Sequence, residues 1–122
     1  MSSKNKMVRK AIEKLYEGTC SVFGYEKIKR PNGSTGFSEV KKLENQPCRL
    51  SFERITTTNM KDGAAQLVQT TKLFIAPEVE IEAGSKIVVT QNGVTTEYKR
   101  SGEPALYDTH QEIILDLFEG WA

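Results

Sequence analysis

His110 is the single histidine of the chain, with Asp108 two residues before it and Glu112 two after. On a β-strand that spacing places all three on one face. Those residue types could make a proton relay, the acid orienting the imidazole and the imidazole moving the proton. A relay also needs a placed nucleophile and oxyanion donors, which spacing alone does not supply. A structural histidine at the start of a strand is the favoured reading. Cys20 and Cys48 are the only cysteines, each inside a strand-like run beside apolar residues. Buried thiols are favoured over a disulfide, because a reducing compartment disfavours the bridge. With one histidine, the two distant cysteines do not complete a zinc site. Gly33-Ser34-Thr35-Gly36 and Gly84-Ser85-Lys86 both lack the spacing of a phosphate-binding loop, which argues against a nucleotide hydrolase. No catalytic residue, cofactor, metal or small-molecule substrate is therefore assigned.

The elements that would carry these residues are short and β-rich. Residues 86–117 hold two strand-like runs around Asn92-Gly93, the pair that most readily takes a type I′ turn, followed by a third run from Glu112 to Phe118. Three strands are too few to stand alone, so they belong to a larger sheet or barrel. Before them, Met7, Ala11, Ile12, Leu15 and Tyr16 recur at helical spacing and predict an amphipathic helix within residues 1–17, with Gly18 as its C-cap candidate. Residues 19–30 read as a strand with Gly24 as a possible bulge. A turn cluster at 31–36 leads back into a strand over 37–43, giving a hairpin. Asn45-Gln46-Pro47 starts a new segment, in which Cys48, Leu50 and Phe52 alternate with Arg49, Ser51 and Glu53. Residues 67–76 read as another strand, and the polar/apolar alternation at 78–82 as a further one. The expected fold is mainly β: a single domain over residues 1–122, a small antiparallel barrel or barrel-like sandwich of about seven or eight strands with an N-terminal helix.

Residues 56–66 interrupt this pattern. They have no apolar period and are long for a connection in a compact domain, so they read as a mobile or functional loop. The chain's length of 122 residues suffices to bury roughly two-thirds of the unfolded surface in one core. At net charge +1, with 38% hydrophobic and 27% charged residues, composition implies no polyanionic partner. The distribution of charge says more. Residues 1–30 carry eight basic groups against three acids, whereas from Glu103 onward there are five acids and no Lys or Arg. Such polarity suits head-to-tail or ring assembly. Lys4, Lys6, Arg9 and Lys10 at one end, and Asp108, Glu112, Asp116 and Glu119 at the other, are the candidate subunit or partner contacts. No run has the roughly 18 apolar residues of a membrane span, and the N-terminus lacks the apolar core of a signal peptide, so a cytoplasmic protein without a membrane partner is expected.

Four stretches together carry a family resemblance. Residues 43–52 (Leu-Glu-Asn-Gln-Pro-Cys-Arg-Leu-Ser-Phe), 71–81 (Thr-Lys-Leu-Phe-Ile-Ala-Pro-Glu-Val-Glu-Ile), 84–93 (Gly-Ser-Lys-Ile-Val-Val-Thr-Gln-Asn-Gly) and 101–113 (Ser-Gly-Glu-Pro-Ala-Leu-Tyr-Asp-Thr-His-Gln-Glu-Ile) resemble the XkdH-like head-tail connector proteins of tailed phages and prophage-derived elements of Gram-positive bacteria. The resemblance implies a small β-barrel and a head-closure, or stopper, subunit. Such subunits form a ring below the portal and adaptor, retain packaged DNA without sequence specificity, and dock the tail. It further implies assembly in the host cytoplasm and residence in the virion neck. On that reading Thr57, Thr58, Asn59, Met60, Lys61, Asp62 and Gly63 are the candidate channel loop. Another neck or tail role, such as adaptor or tail terminator, is the alternative. A single-strand oligonucleotide-binding module is a further one, and it would show steeply salt-dependent binding.

Overall fold

A computed structural model describes residues 3–59 and 64–121, the backbone alone at residues 3, 55–59 and 64–68. Helix α1 (Ser3–Glu13) precedes six strands: β1 (Gly18–Lys29), β2 (Thr35–Asn59), β3 (Ala64–Ile75), β4 (Lys86–Gln91), β5 (Val94–Leu106) and β6 (Gln111–Leu117). All pairings are antiparallel, in the order β1-β2-β3-β6-β5-β4, and β4 returns to β1 to close a barrel. The expected mainly β barrel with an N-terminal helix is the fold observed.

Six strands stand where seven or eight were expected because β2 runs unbroken through Asn45-Gln46-Pro47. The chain absorbs that sequence as irregularity. Between Cys20 and Phe23 the β1–β2 register shifts twice, and Asn45 takes a φ of 50°. These bulges bend β2, so that its first half pairs with β1 and its second half, from Cys48, pairs with β3. The bulge lies here and not at Gly24. Gly18 is not a helix C-cap either: it opens β1, opposite Cys48, after α1 has ended in turns from Lys14 to Tyr16.

Alternation along the strands fills the barrel. Cys20, Val22, Cys48, Leu50, Leu73, Ile75, Ile87, Val89, Ile113 and Leu115 all point inward and are buried. Full burial of each aliphatic side chain contributes roughly 1.5–3 kcal/mol. Asn92 and Gly93, at φ 53° and 76°, form the expected positive-φ hairpin between β4 and β5. Residues 78–82 are not a strand. β3 and β4 are not neighbours, so the chain between them crosses one end of the barrel, burying Ile81 and half-burying Val79 as a plug. Its carbonyls are met by side chains: Gln111 Nε2 donates to Ala76 O (2.9 Å) and Val79 O (2.5 Å), and Arg100 Nη1 donates to Ile81 O (2.7 Å).

Two hairpin arms outrun the barrel. β1 pairs with β4 only over Thr19–Phe23, leaving residues 24–29 paired with β2 alone. At the other end of β2, the ladder to β3 continues from Glu53↔Thr70 to Asn59↔Ala64, beyond the last β3–β6 pair, Thr71↔Leu115. Residues 56–59 and 64–66 are thus paired strands and not part of a loop. Residues 60–63 lie outside the described residues.

Candidate functional site

Helix α1 lies on the outer face of β2 and β3, where Ile12, Leu15 and Tyr16 meet Arg49, Ser51, Phe74 and His110 around a cavity of about 220 Å³. Burial pushes the Tyr16 hydroxyl above its ordinary pKa, helped by the nearby Glu13 carboxylate. His110 acts here as a strut. Its Nε2 is 3.0 Å from Glu112 Oε2, its Nδ1 is 3.0 Å from Thr109 Oγ1, and its ring stacks on Tyr107 (4.8 Å) and Phe74 (5.8 Å). Glu112 also faces Lys72 Nζ at 3.7 Å, which in turn contacts Glu53 at 3.3 Å. The bond to Glu53, outweighing partial burial, holds the Lys72 ammonium above the usual lysine value. Asp108 does not join His110 on one strand face, because residues 107–110 form a turn; Asp108 instead accepts from Asn5 Nδ2 of α1 at 3.3 Å.

That contact brings together in space the two segments that carry opposite charge in sequence. Of the candidate contact residues, Arg9, Asp108 and Glu112 are committed within the chain. Lys4, Lys6 and Lys10 are exposed on α1, and Asp116 and Glu119 are exposed at the far end of β6. Arg9 bonds Glu13 (2.7 Å) and, 69 residues away, Glu78 (2.5 Å), clamping α1 to the plug segment. The Arg9 guanidinium holds the Glu78 carboxyl below the usual carboxylate range. A depressed carboxyl pKa stabilises the fold above the unfolded value of about 4.3, and that stability is lost as pH falls through the folded value. Because the Glu78 side chain is 62% exposed, the pair contributes at most about 1 kcal/mol. Glu78→Gln is expected to cost about 0.5 kcal/mol at neutral pH, with the gap to the parent protein closing in acid. Denaturant midpoints across that range check it, and a gap that does not change with pH would refute it.

At the mouth opposite the plug, β3 and β6 part after Thr71↔Leu115, while β6 stays on β5 through Asp116↔Lys99 and Leu117↔Tyr98. The parting leaves an open groove of about 800 Å³ walled by Phe52, Tyr98, Ile114 and Leu117, with Asp116 and Glu119 beside it. Phe52 keeps the inward parity of Cys48 and Leu50, yet it is exposed because the barrel ends there.

A third cluster covers the outer face of β1, β4 and β5. Lys86 pairs with Glu39 and with Glu97 (3.3 Å), and lies over the rings of Phe23 (5.0 Å) and Phe118 (5.5 Å). Burial pulls its pKa down, but the bonds to Glu39 and Glu97 prevail and hold it above the ordinary lysine value. Trp121 packs edge-on against Phe118 (5.0 Å) and stacks on Tyr25 (4.9 Å), which stacks on Phe37 (5.4 Å). Sequence reading found neither this ladder nor the groove. Their only advance signals were the aromatic residues bracketing the turn at 31–36 and the alternation of Ile113, Leu115 and Leu117 running on to the end of β6.

The two thiols are free and buried side by side. The hydrogen bond that the Cys20 thiol donates to Cys48, and then burial, drive the Cys20 pKa far upward, which makes that thiol unreactive. Among the described residues, no three His, Cys, Asp or Glu side chains form a metal-binding group, and no helix is long and apolar enough to cross a membrane.

Comparison of the chain with protein-family descriptions and with curated proteins finds no match. Among solved structures, the protein xkdH of the phage-like element PBSX from Bacillus subtilis aligns with a TM-score of 0.50 over 83% of this chain and 93% of its own. This chain has an XkdH-like fold. At 12% identity the likeness is one of fold, and it spans nearly the whole of xkdH.

Proposed function

We propose that the chain is a structural protein of a tailed-phage or prophage-derived particle, and within it a head-closure subunit that rings the channel between portal-adaptor and tail. The observation that carries this reading is the XkdH-like barrel, found in a protein of a phage-like element and covering nearly all of it. The four sequence stretches that resemble head-tail connectors point the same way. Fold alone does not fix a role, so the mechanism rests on what the barrel carries.

A stopper needs a rigid body, a side face for its neighbours and an element that reaches the channel. The closed barrel, plugged at one end, is the rigid body. The β2–β3 arm is the reaching element: its seven paired rungs from Glu53↔Thr70 to Asn59↔Ala64 extend it roughly 20 Å. Thr57, Thr58 and Asn59 stand on the outgoing strand of that arm, and residues 60–63 connect its two strands. A paired ladder holds its shape better than the loop expected from the sequence, and several such arms converging in a ring would narrow the channel against DNA. The exposed Lys4, Lys6 and Lys10 on α1 and the Asp116 and Glu119 pair at the opposite end of the chain remain the contacts assigned to portal-adaptor, tail or neighbouring subunit.

Deletion of residues 58–64 is expected to leave the barrel folded and to abolish DNA retention in assembled particles. Intact retention and tail joining in that mutant would reject the channel role of the arm. A labelled subunit found anywhere but the neck in particle images would reject the head-closure reading itself.

A further inference from the structure

Two apolar surfaces lie uncovered at opposite ends of β2. One is the groove where β3 and β6 part, in which Phe52 is 54% and Leu117 62% exposed. The other is one face of the β1–β2 arm. There Tyr25 pairs with Glu39 and Lys27 with Phe37, so these four side chains share a face. Phe37 is 57% exposed at the end of the aromatic ladder through Tyr25 to Trp121, which fixes the arm face before anything touches it. An exposed apolar hairpin with open strand edges is an aggregation hazard unless something covers it.

The charges around the two surfaces are complementary. The arm's acids are engaged locally, Glu26 with Lys42 and Glu39 with Lys86, while Lys27, Lys29 and Arg30 are exposed toward its end. The groove carries Asp116 and Glu119; Lys99 stands across the ladder from Asp116, which leaves Glu119 in excess. We propose that the β1–β2 arm of one copy of this chain docks in the β3/β6 groove of a second copy. Phe37 lies between Phe52 and Leu117, and Lys27 and Lys29 face Asp116 and Glu119. Arm and groove are different patches, so the contact is head-to-tail and repeats from copy to copy, as closure of a ring requires. The inference deepens the ring-subunit reading and rests on it for its purpose, although its chemistry stands on the two surfaces alone.

Sedimentation of the purified full chain tests it. Self-association is expected with a Kd of about 100 μM, the range of a small transient interface. It should weaken as salt rises, since exposed charges are screened over about 10 Å at 0.1 M. Lys27→Glu with Lys29→Glu, and separately Asp116→Lys with Glu119→Lys, should each weaken it at least tenfold. Mixing the two variants should restore it, because each acidic surface then meets a basic one. A parent protein still monomeric at about 1 mM overturns the docking, as does a mixture that fails to associate. Disulfide trapping gives a readout independent of charge: a Phe37→Cys copy mixed with a Leu117→Cys copy should cross-link in trans, and replacing the latter with Val94→Cys, on the β4–β5 tip, should not. Equal trapping at both positions also overturns the docking. Self-association through these surfaces in a protein located outside the neck would reject the stopper reading and keep the contact. A neck protein that fails both assays would reject the contact alone.

Discussion

Gly18→Ala is expected to destabilise the protein by about 2–3 kcal/mol, a larger loss than most single-residue changes produce. A methyl group at this position would sit 2.8 Å from the carbonyl oxygen of Thr90 and 3.2 Å from the side chain of Gln91. The first neighbour is backbone in the β1–β4 ladder, so it cannot rotate away. The second has its own task. Gln91 Oε1 accepts from Leu50 N at 2.8 Å and Gln91 Nε2 donates to Leu50 O at 3.3 Å, so the amide takes the place of a strand partner where β1 has not yet begun. Pushing Gln91 aside would release both Leu50 groups, and strain would be joined by unmet hydrogen bonds. For a domain of this size the loss corresponds to a fall in Tm of roughly 10 °C. Gly24→Ala is the control: the nearest atom there is the flexible Lys42 Cε at 3.1 Å, which can move, so the change should stay within about 0.5 kcal/mol. Equal thermal shifts for the two variants would show that the β1–β4 seam is looser than its geometry implies.

The seam also marks where sequence reading succeeds and where it stops. Asn92-Gly93 was legible because its turn type is decided by two adjacent residues. The inward residues of β4 and β6 were legible because the barrel wall imposes a period of two. Residues 56–59 and 64–66 read as loop for the same physical reason turned around. Their arm runs on past the last β3–β6 pair and out of the barrel wall, so the wall's period of two is not imposed on it, although a threonine run suits extended backbone. Residues 78–82 misled in the opposite sense: Val79 and Ile81 alternate with acids because they plug a barrel end, without any strand beside them. Pro47 looked like a break because the bulges that carry β2 past it depend on partners more than twenty residues away. Among the charged candidates, exposure was legible but commitment was not. Nothing near Arg9 in sequence announces Glu78.

The plug itself carries the second large effect. Gln111 is 2% exposed, and its one side-chain nitrogen serves the carbonyls of both Ala76 and Val79. Gln111→Leu keeps the bulk but leaves the Val79 carbonyl without a donor and the Ala76 carbonyl with only the Val79 N–H, at 3.3 Å. One unmet buried carbonyl costs about 1–3 kcal/mol, so a loss of about 2 kcal/mol is expected. Gln111→Glu separates hydrogen bonding from volume. A carboxylate there would face two carbonyl oxygens in a buried site, which favours the protonated form and raises its folded pKa above the unfolded value of about 4.3. Such a variant is most stable in acid, where the carboxyl can donate one hydrogen bond. It loses stability as pH rises from the unfolded pKa up to the folded one, and no further loss follows above that. Denaturant titrations at several pH values should therefore show Gln111→Glu close to the parent in mild acid and far below it at neutral pH, with Gln111→Leu displaced by a similar amount throughout. If Gln111→Glu tracked the parent at every pH, the carbonyls would be satisfied by water, and the plug would be an open lid instead of a sealed end.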